Sequence, residues 1–159
     1  MSPSLFIVRH AHAVSEEENP ERPLSGRGRK QIKRLARFLT RSGRFAPGEI
    51  WHSPLPRSRE TAQRLVERLG LKAKLVQIDG INGDDDPSLA IGRLSARKAK
   101  TPIAIVGHEP HLSAFTTLLV TGAAAPVRFK LKKAAVVALE RTDEGGWQVR
   151  WQLSPEIVK

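Results

Sequence analysis

Leu5-Phe6-Ile7-Val8-Arg9-His10 decides the fold of this chain. Four apolar residues, two of them β-branched, predict a short buried strand that ends at the polar pair. The same arrangement recurs twice. Glu49 to His52 predicts a short strand running into Ser53-Pro54-Leu55-Pro56-Arg57, followed by a helix from Pro56 to Leu69 that Gly70 closes. Pro102 to Val106 predicts a buried strand running into Gly107-His108-Glu109-Pro110, followed by a helix from Pro110 to Val120 with proline in its first turn. Three apolar strands, each ending in a side chain that can hold phosphate, describe one site on an α/β sheet. Open sheets bind ligands at the carboxyl ends of their strands. Arg9, His10, Arg57 and His108 are therefore expected to meet there.

The remaining segments fill in the architecture. Ala11 to Leu24 is a polar loop with an acidic middle, Glu16-Glu17-Glu18-Asn19-Pro20. Ser25 is a predicted N-cap for a helix that ends near Gly43. Lys72 to Ile78 alternates basic and apolar residues, as a half-exposed strand does. Gly80 to Pro87 reads as a loop, and Ser88 to Lys98 has helical spacing. Beyond Gly122, Val127 to Leu131, Ala134 to Glu140 and Trp147 to Leu153 read as strands. Asp143-Glu144-Gly145-Gly146 is a hairpin connection between the last two. Trp147 and Trp151, four apart on a strand, are expected to share one core-facing side. The predicted fold is a three-layer α/β/α sandwich around a mixed, mostly parallel sheet. Residues 1–159 are expected to form one domain.

Composition narrows the setting. No run approaches the roughly 18 apolar residues of a membrane span. Met1-Ser2-Pro3-Ser4 carries no basic region, and the apolar stretch ending at Val8 is too short for a signal peptide's core. The absence of cysteine excludes disulfides and thiol nucleophiles, and a cytoplasmic protein is expected. Lys and Arg number 27 against 16 Asp and Glu, a formal charge of +11, which favours anionic partners. Arg27, Lys30, Lys33, Arg34, Arg37, Arg41 and Arg44 fall on one side of the first helix, opposite Ile32, Leu35, Ala36 and Leu39. That side reads as a solvated face, with docking of an acidic partner or nucleic acid as the alternative. Tyr is absent, so base-stacking platforms are poorly supplied and a nucleic-acid partner is not expected.

The residue types also specify a chemistry. A neutral imidazole can attack phosphorus, and an ordinary histidine pKa of about 6.5 leaves much of His10 neutral. Guanidinium groups make paired hydrogen bonds to phosphoryl oxygens. Backbone N–H groups at the helix start after His108 are expected to favour an anion as well. His10, His12 and His108 could instead suggest a metal site, but the arginines would repel a cation, so no metal or other cofactor is expected. His12 and Arg22 are candidate substrate-binding residues at the site's edge. His52 and His111 read as structural, Arg59 as pointing away, and Asp84-Asp85-Asp86 as a solvated turn and helix start.

With these segments in place, the chain resembles the histidine phosphatase superfamily, and in it the small SixA-type phosphohistidine phosphatases. The resemblance rests on Arg9-His10-Ala11-His12-Ala13, Arg22-Pro23-Leu24-Ser25 with Gly28 and Gln31, and Ser53-Pro54 with Arg57 and Thr61. It continues in Val106-Gly107-His108-Glu109-Pro110 with Leu112, and in the tail Leu153-Ser154-Pro155. It implies a phosphoglycerate mutase-like fold and transient phosphorylation of His10, with Arg9, Arg57 and His108 around the phosphoryl group. The implied substrate is phosphohistidine on a protein partner. A small-molecule phosphomonoesterase with the same site is the alternative, and a phosphoprotein-binding module without turnover a more distant one. The chain departs from many members at Ala11, where they carry glycine. Nor can an aspartate between Asp79 and Asp86 be registered with the acid that mutases place after the third strand. A leaving imidazole can carry its own proton, so this gap tilts the reading toward a phosphoramidate. Between Arg57 and His108 there is little room for a lid.

Overall fold

Along β1 (Leu5–Arg9) every apolar side chain is buried on whichever side of the sheet it faces, which accounts for its unbroken apolar run. The computed structural model describes residues 3–158, so the reading of the first four residues lies partly outside it, at Met1 and Ser2. After β1 come α1 (Gly26–Ser42), β2 (Glu49–His52), α2 (Pro56–Leu69), β3 (Lys74–Gln77) and α3 (Pro87–Ala96). These are followed by β4 (Ile103–Gly107), α4 (His111–Thr121), β5 (Val136–Arg141) and β6 (Trp147–Leu153). The strands form one sheet in the order β3-β2-β4-β1-β5-β6. The first four in that order are parallel, and β5 and β6 pair antiparallel at one side.

Two apolar layers cover the sheet. Phe6, Val8, Ile50, Ala104, Val106 and Ala138 pack against Ile32, Leu35 and Leu39 of α1 and Ala62 and Leu65 of α2. Leu5, Ile7, Ile103, Ile105 and Leu139 pack against Ala90 of α3 and Leu112 and Phe115 of α4. Each fully buried Leu, Ile or Phe contributes about 1.5–3 kcal/mol through its removal from water. The result is the expected three-layer sandwich. Local signals set the helix limits. Ser25 accepts a bond from the Gly28 N–H at the start of α1, and Gly43, at φ 64°, turns the chain away after Ser42.

Register levels the strand ends that matter. Arg9 lies opposite Gly107 and His52 opposite Val106, so the chain leaves β1, β2 and β4 at one edge of the sheet. Among the described residues no helix is long and apolar enough to cross a membrane.

Two expectations need correction. Val127 to Leu131 is not a strand. Its alternation is real, since Leu131 is buried and Phe129 packs on the α3/α4 layer. Its polar backbone atoms, however, are bonded by side chains: Arg128 N–H donates to Thr117, Lys130 C=O accepts from Gln152, and Leu131 C=O accepts from Arg9. The second correction concerns the tryptophans. Both pack on apolar layers, but on opposite sides of the sheet, Trp151 with the α1/α2 layer and Trp147 with the α3/α4 layer. The pairing passes from Ala138–Trp151 to Leu139–Val149, which leaves Arg150 as an extra residue in a β-bulge. One inserted residue breaks the period of two and turns the rest of the strand over.

Candidate active site

His10 is the first residue beyond β1, and its N–H donates to Gly107 C=O at 3.0 Å. Its Nδ1 lies 2.7 Å from Ala11 C=O. A carbonyl can only accept, so the proton sits on Nδ1 and the Nε2 lone pair is free. The His108 ring stands beside it, with ring centroids 5.0 Å apart. The rings are only 5% and 3% exposed, too recessed for protonation to be cheap. Burial pushes the His10 pKa down to about 3, reinforced by the neighbouring charges of His108, Arg57 and Arg9. His108 is pushed down to about 4, first by burial and then by Arg57, His111, Arg9 and Arg22. Both imidazoles are therefore neutral at neutral pH.

A hydroxyl orients His108. Ser53, fully buried just past β2, places its Oγ 2.6 Å from His108 Nε2 and accepts a bond from Leu55 N–H. When the Ser53 hydroxyl donates to Nε2, the His108 proton sits on Nδ1. His108 Nδ1 is buried with no partner among the described residues. In that tautomer it is a donor left for a ligand, which suits a phosphoryl pocket.

The arginines are anchored and crowded. Arg9 donates from Nη1 to Leu131 C=O at 2.9 Å, and its buried Nε has no partner among the described residues. Arg57 stands in the first turn of α2, and its Nε is likewise buried without one. Burial lowers the pKa of both, and Arg22 lowers that of Arg57 further, so Arg22 lies within electrostatic reach. Arg22 has φ 50° and donates from Nε to Val14 C=O within its own loop, and its charge reaches Arg57 and His108. Positive charge gathered around two neutral imidazoles is a cradle for an oxyanion.

The loop after His10 is fixed by its neighbours. Ala11 N–H donates to Thr61 Oγ1, which in turn donates to Arg57 C=O, tying the His10 loop to the arginine's own turn. Ala11 is fully buried, which explains the need for a small residue. His12 N–H donates to Gln31, and its Nδ1 lies 2.6 Å from Ser25 Oγ. The His12 ring sits on the rim, lining a cavity of about 520 Å³ with Arg9.

At the start of α4, Ser113 N–H donates to the Glu109 carboxylate and Leu112 N–H to His108 C=O. The aspartates behave as expected. Asp86 caps α3 through Ser88 N–H, and Asp85 accepts from Asn82 N–H. His52 donates to Ser53 C=O, and His111 is buried and stacked on Phe115. Ser53 as the partner of His108 was not predicted. Its only sequence signal is a serine at the end of a strand adjacent to the one that carries His108.

Comparison with known proteins places the fold. Residues 5–80 match the model of the histidine phosphatase superfamily (branch 1). Among solved structures, the protein histidine phosphatase SixA in complex with tungstate aligns with a TM-score of 0.81 and 21% identity, over 95% of this chain and 96% of that one. A SixA structure from Agrobacterium tumefaciens aligns at 0.77 and 21% identity, over 98% and 99%. Phosphoserine phosphatase from Entamoeba histolytica, in complex with 3-phosphoglyceric acid, aligns at 0.71 and 16% identity, over 97% and 98%. No curated relative matches the chain. The chain has the histidine phosphatase fold of the phosphoglycerate mutase-like kind, and its first half carries that superfamily's sequence pattern.

Proposed function

We propose that the protein is a metal-independent phosphatase that removes phosphate from phosphohistidine on a protein partner, with residues 1–159 acting as one catalytic domain. The cysteine-free composition suits a cytoplasmic setting. His10 Nε2 attacks phosphorus, the bond to the substrate imidazole breaks, and that imidazole leaves carrying a proton. Water then attacks phospho-His10, releasing phosphate and restoring the Nε2 lone pair. Arg9, Arg57 and the His108 Nδ1–H hold the equatorial oxygens as charge spreads over them, while Arg22 and His12 contact the substrate at the rim.

One observation carries the choice of substrate. Three carboxylates near the site carry structural bonds: Asp85 and Asp86 in their turn and cap, and both oxygens of Glu109 on Ser113. An alcohol leaving group needs a proton from such an acid, whereas an imidazole with one nitrogen already protonated does not. The phosphoserine phosphatase relative favours small-molecule phosphomonoesters as the second reading. The test compares a chemically phosphorylated histidine protein with a panel of phosphomonoesters, with and without EDTA. Selective, EDTA-resistant turnover of the phosphohistidine protein is expected. Equal or faster turnover of a monoester would assign the second reading, and no turnover at all would leave a binding module.

A further inference from the structure

A second concentration of positive charge adjoins the site. The cavity that Arg9 and His12 line extends between two walls. One is the exposed face of α1, with Arg27, Lys30 and Arg34; the other is the segment before β5, with Lys132 and Lys133. The only carboxylate in the lining, Glu156, is already paired with Lys132 at 2.9 Å. Lys133 is partly buried, and its pKa is lowered by that burial and by Arg9, Arg22 and Arg27. The basin therefore holds uncompensated charge continuous with the phosphoryl site.

Its shape selects among anions. Arg27 to Arg34 spans seven residues of helix, a rise of about 10 Å. The cations thus form a row facing two lysines rather than converging on one point, so a linear run of carboxylates fits better than a compact phosphate. No Phe, Tyr or Trp is among the described residues that line the basin, so it offers no broad platform to stack a base. We infer that this basin is a docking site for an acidic segment of the phosphorylated protein, seated beside the phosphohistidine while Arg9 holds the phosphoryl group. The assignment of that segment to the substrate rests on the proposed function; the binding of acidic peptide does not.

The test separates location from net charge. Binding of a fluorescein-labelled hexaglutamate peptide is measured by anisotropy for wild type, for Lys30→Gln/Arg34→Gln, and for Lys33→Gln/Arg37→Gln. Both pairs are exposed on α1 and remove the same charge, but only the first lines the basin. Affinity should fall about fivefold in the first pair and less than about twofold in the second. Equal loss in both, or no binding by wild type at low salt, would overturn the docking site. So would a single-stranded DNA of equal charge that binds more tightly and loses affinity in the same pair. Turnover of phosphoramidate should be unchanged in both pairs, which excludes damage to the fold. If wild type fails to hydrolyse phosphoramidate, the phosphatase reading fails, and the peptide result still decides the basin.

Discussion

At the level of single residues, the hydrogen bond from His10 Nδ1 to Ala11 C=O matters most, because it leaves Nε2 unprotonated. His10→Ala should lower turnover by at least about a thousandfold and abolish the acid-labile phosphate trapped by rapid quench, with the fold unchanged by circular dichroism. Ser53→Ala should lower kcat about tenfold with little change in KM, because His108 loses the partner that fixes its tautomer. A KM rise with kcat intact would make Ser53 a binding residue instead. The two imidazoles also make a pH prediction. Their folded pKa values, about 3 and about 4, lie below the ordinary 6.5, so the unfolded chain binds more protons at lower pH. Their contribution to stability is complete above about pH 6.5 and is lost as pH falls toward 4. Urea midpoints at pH 7, 5.5 and 4.5 should decline, and less steeply in His10→Ala. That Arg9, His10, Arg57 and His108 meet at one sheet edge was legible in sequence, because each follows an apolar run or opens a helix. The Ser53–His108 bond was not, since 55 residues separate the partners and only strand order brings them together.

Among the elements, the packing of α1 on the His10 loop governs how steadily the site is held. A Cβ on Gly28 would come within 2.0 Å of His12 C=O, an unyielding backbone atom. Gly28→Ala should therefore destabilise by about 1–3 kcal/mol, read as a lower urea midpoint at constant slope, despite alanine's better helix propensity. Unchanged stability would mean that the loop can retreat from the helix. Helix limits were legible because Ser25, Gly43, Pro56 and Gly70 state them locally. The segment from Val127 to Leu131 misled because alternation reports which side chains turn inward, and says nothing about which groups bond the backbone. The tryptophans misled because a bulge is invisible to a count of residues.

For the molecule as a whole, positive charge is the organising fact. An excess of 11 charges, with much of it around one mouth of the sheet, should draw anions in and hold them. Inorganic phosphate at a hundred times its dissociation constant should add about 2.7 kcal/mol of stability. A thermal-shift titration should show this for wild type and much less for Arg57→Ala. If both shift equally, phosphate binds away from the site. Association with an acidic protein should slow as salt is added, because the field reaches only about 8 Å at physiological ionic strength.

The bulge at Arg150 has a consequence for the protein in concentrated solution. A sheet that is not closed has two free margins, here β3 and β6, and each can template growth by adding strands from other copies. β3 is only four residues long, while β6 has seven and pairs on one side alone. The extra residue kinks β6 and turns a cation outward midway along it, so a straight incoming strand cannot stay in step with its whole length. Deleting Arg150 would straighten that margin. The shortened protein should form fibres or sediment as higher oligomers where the parent stays clear, which light scattering at matched concentration would register.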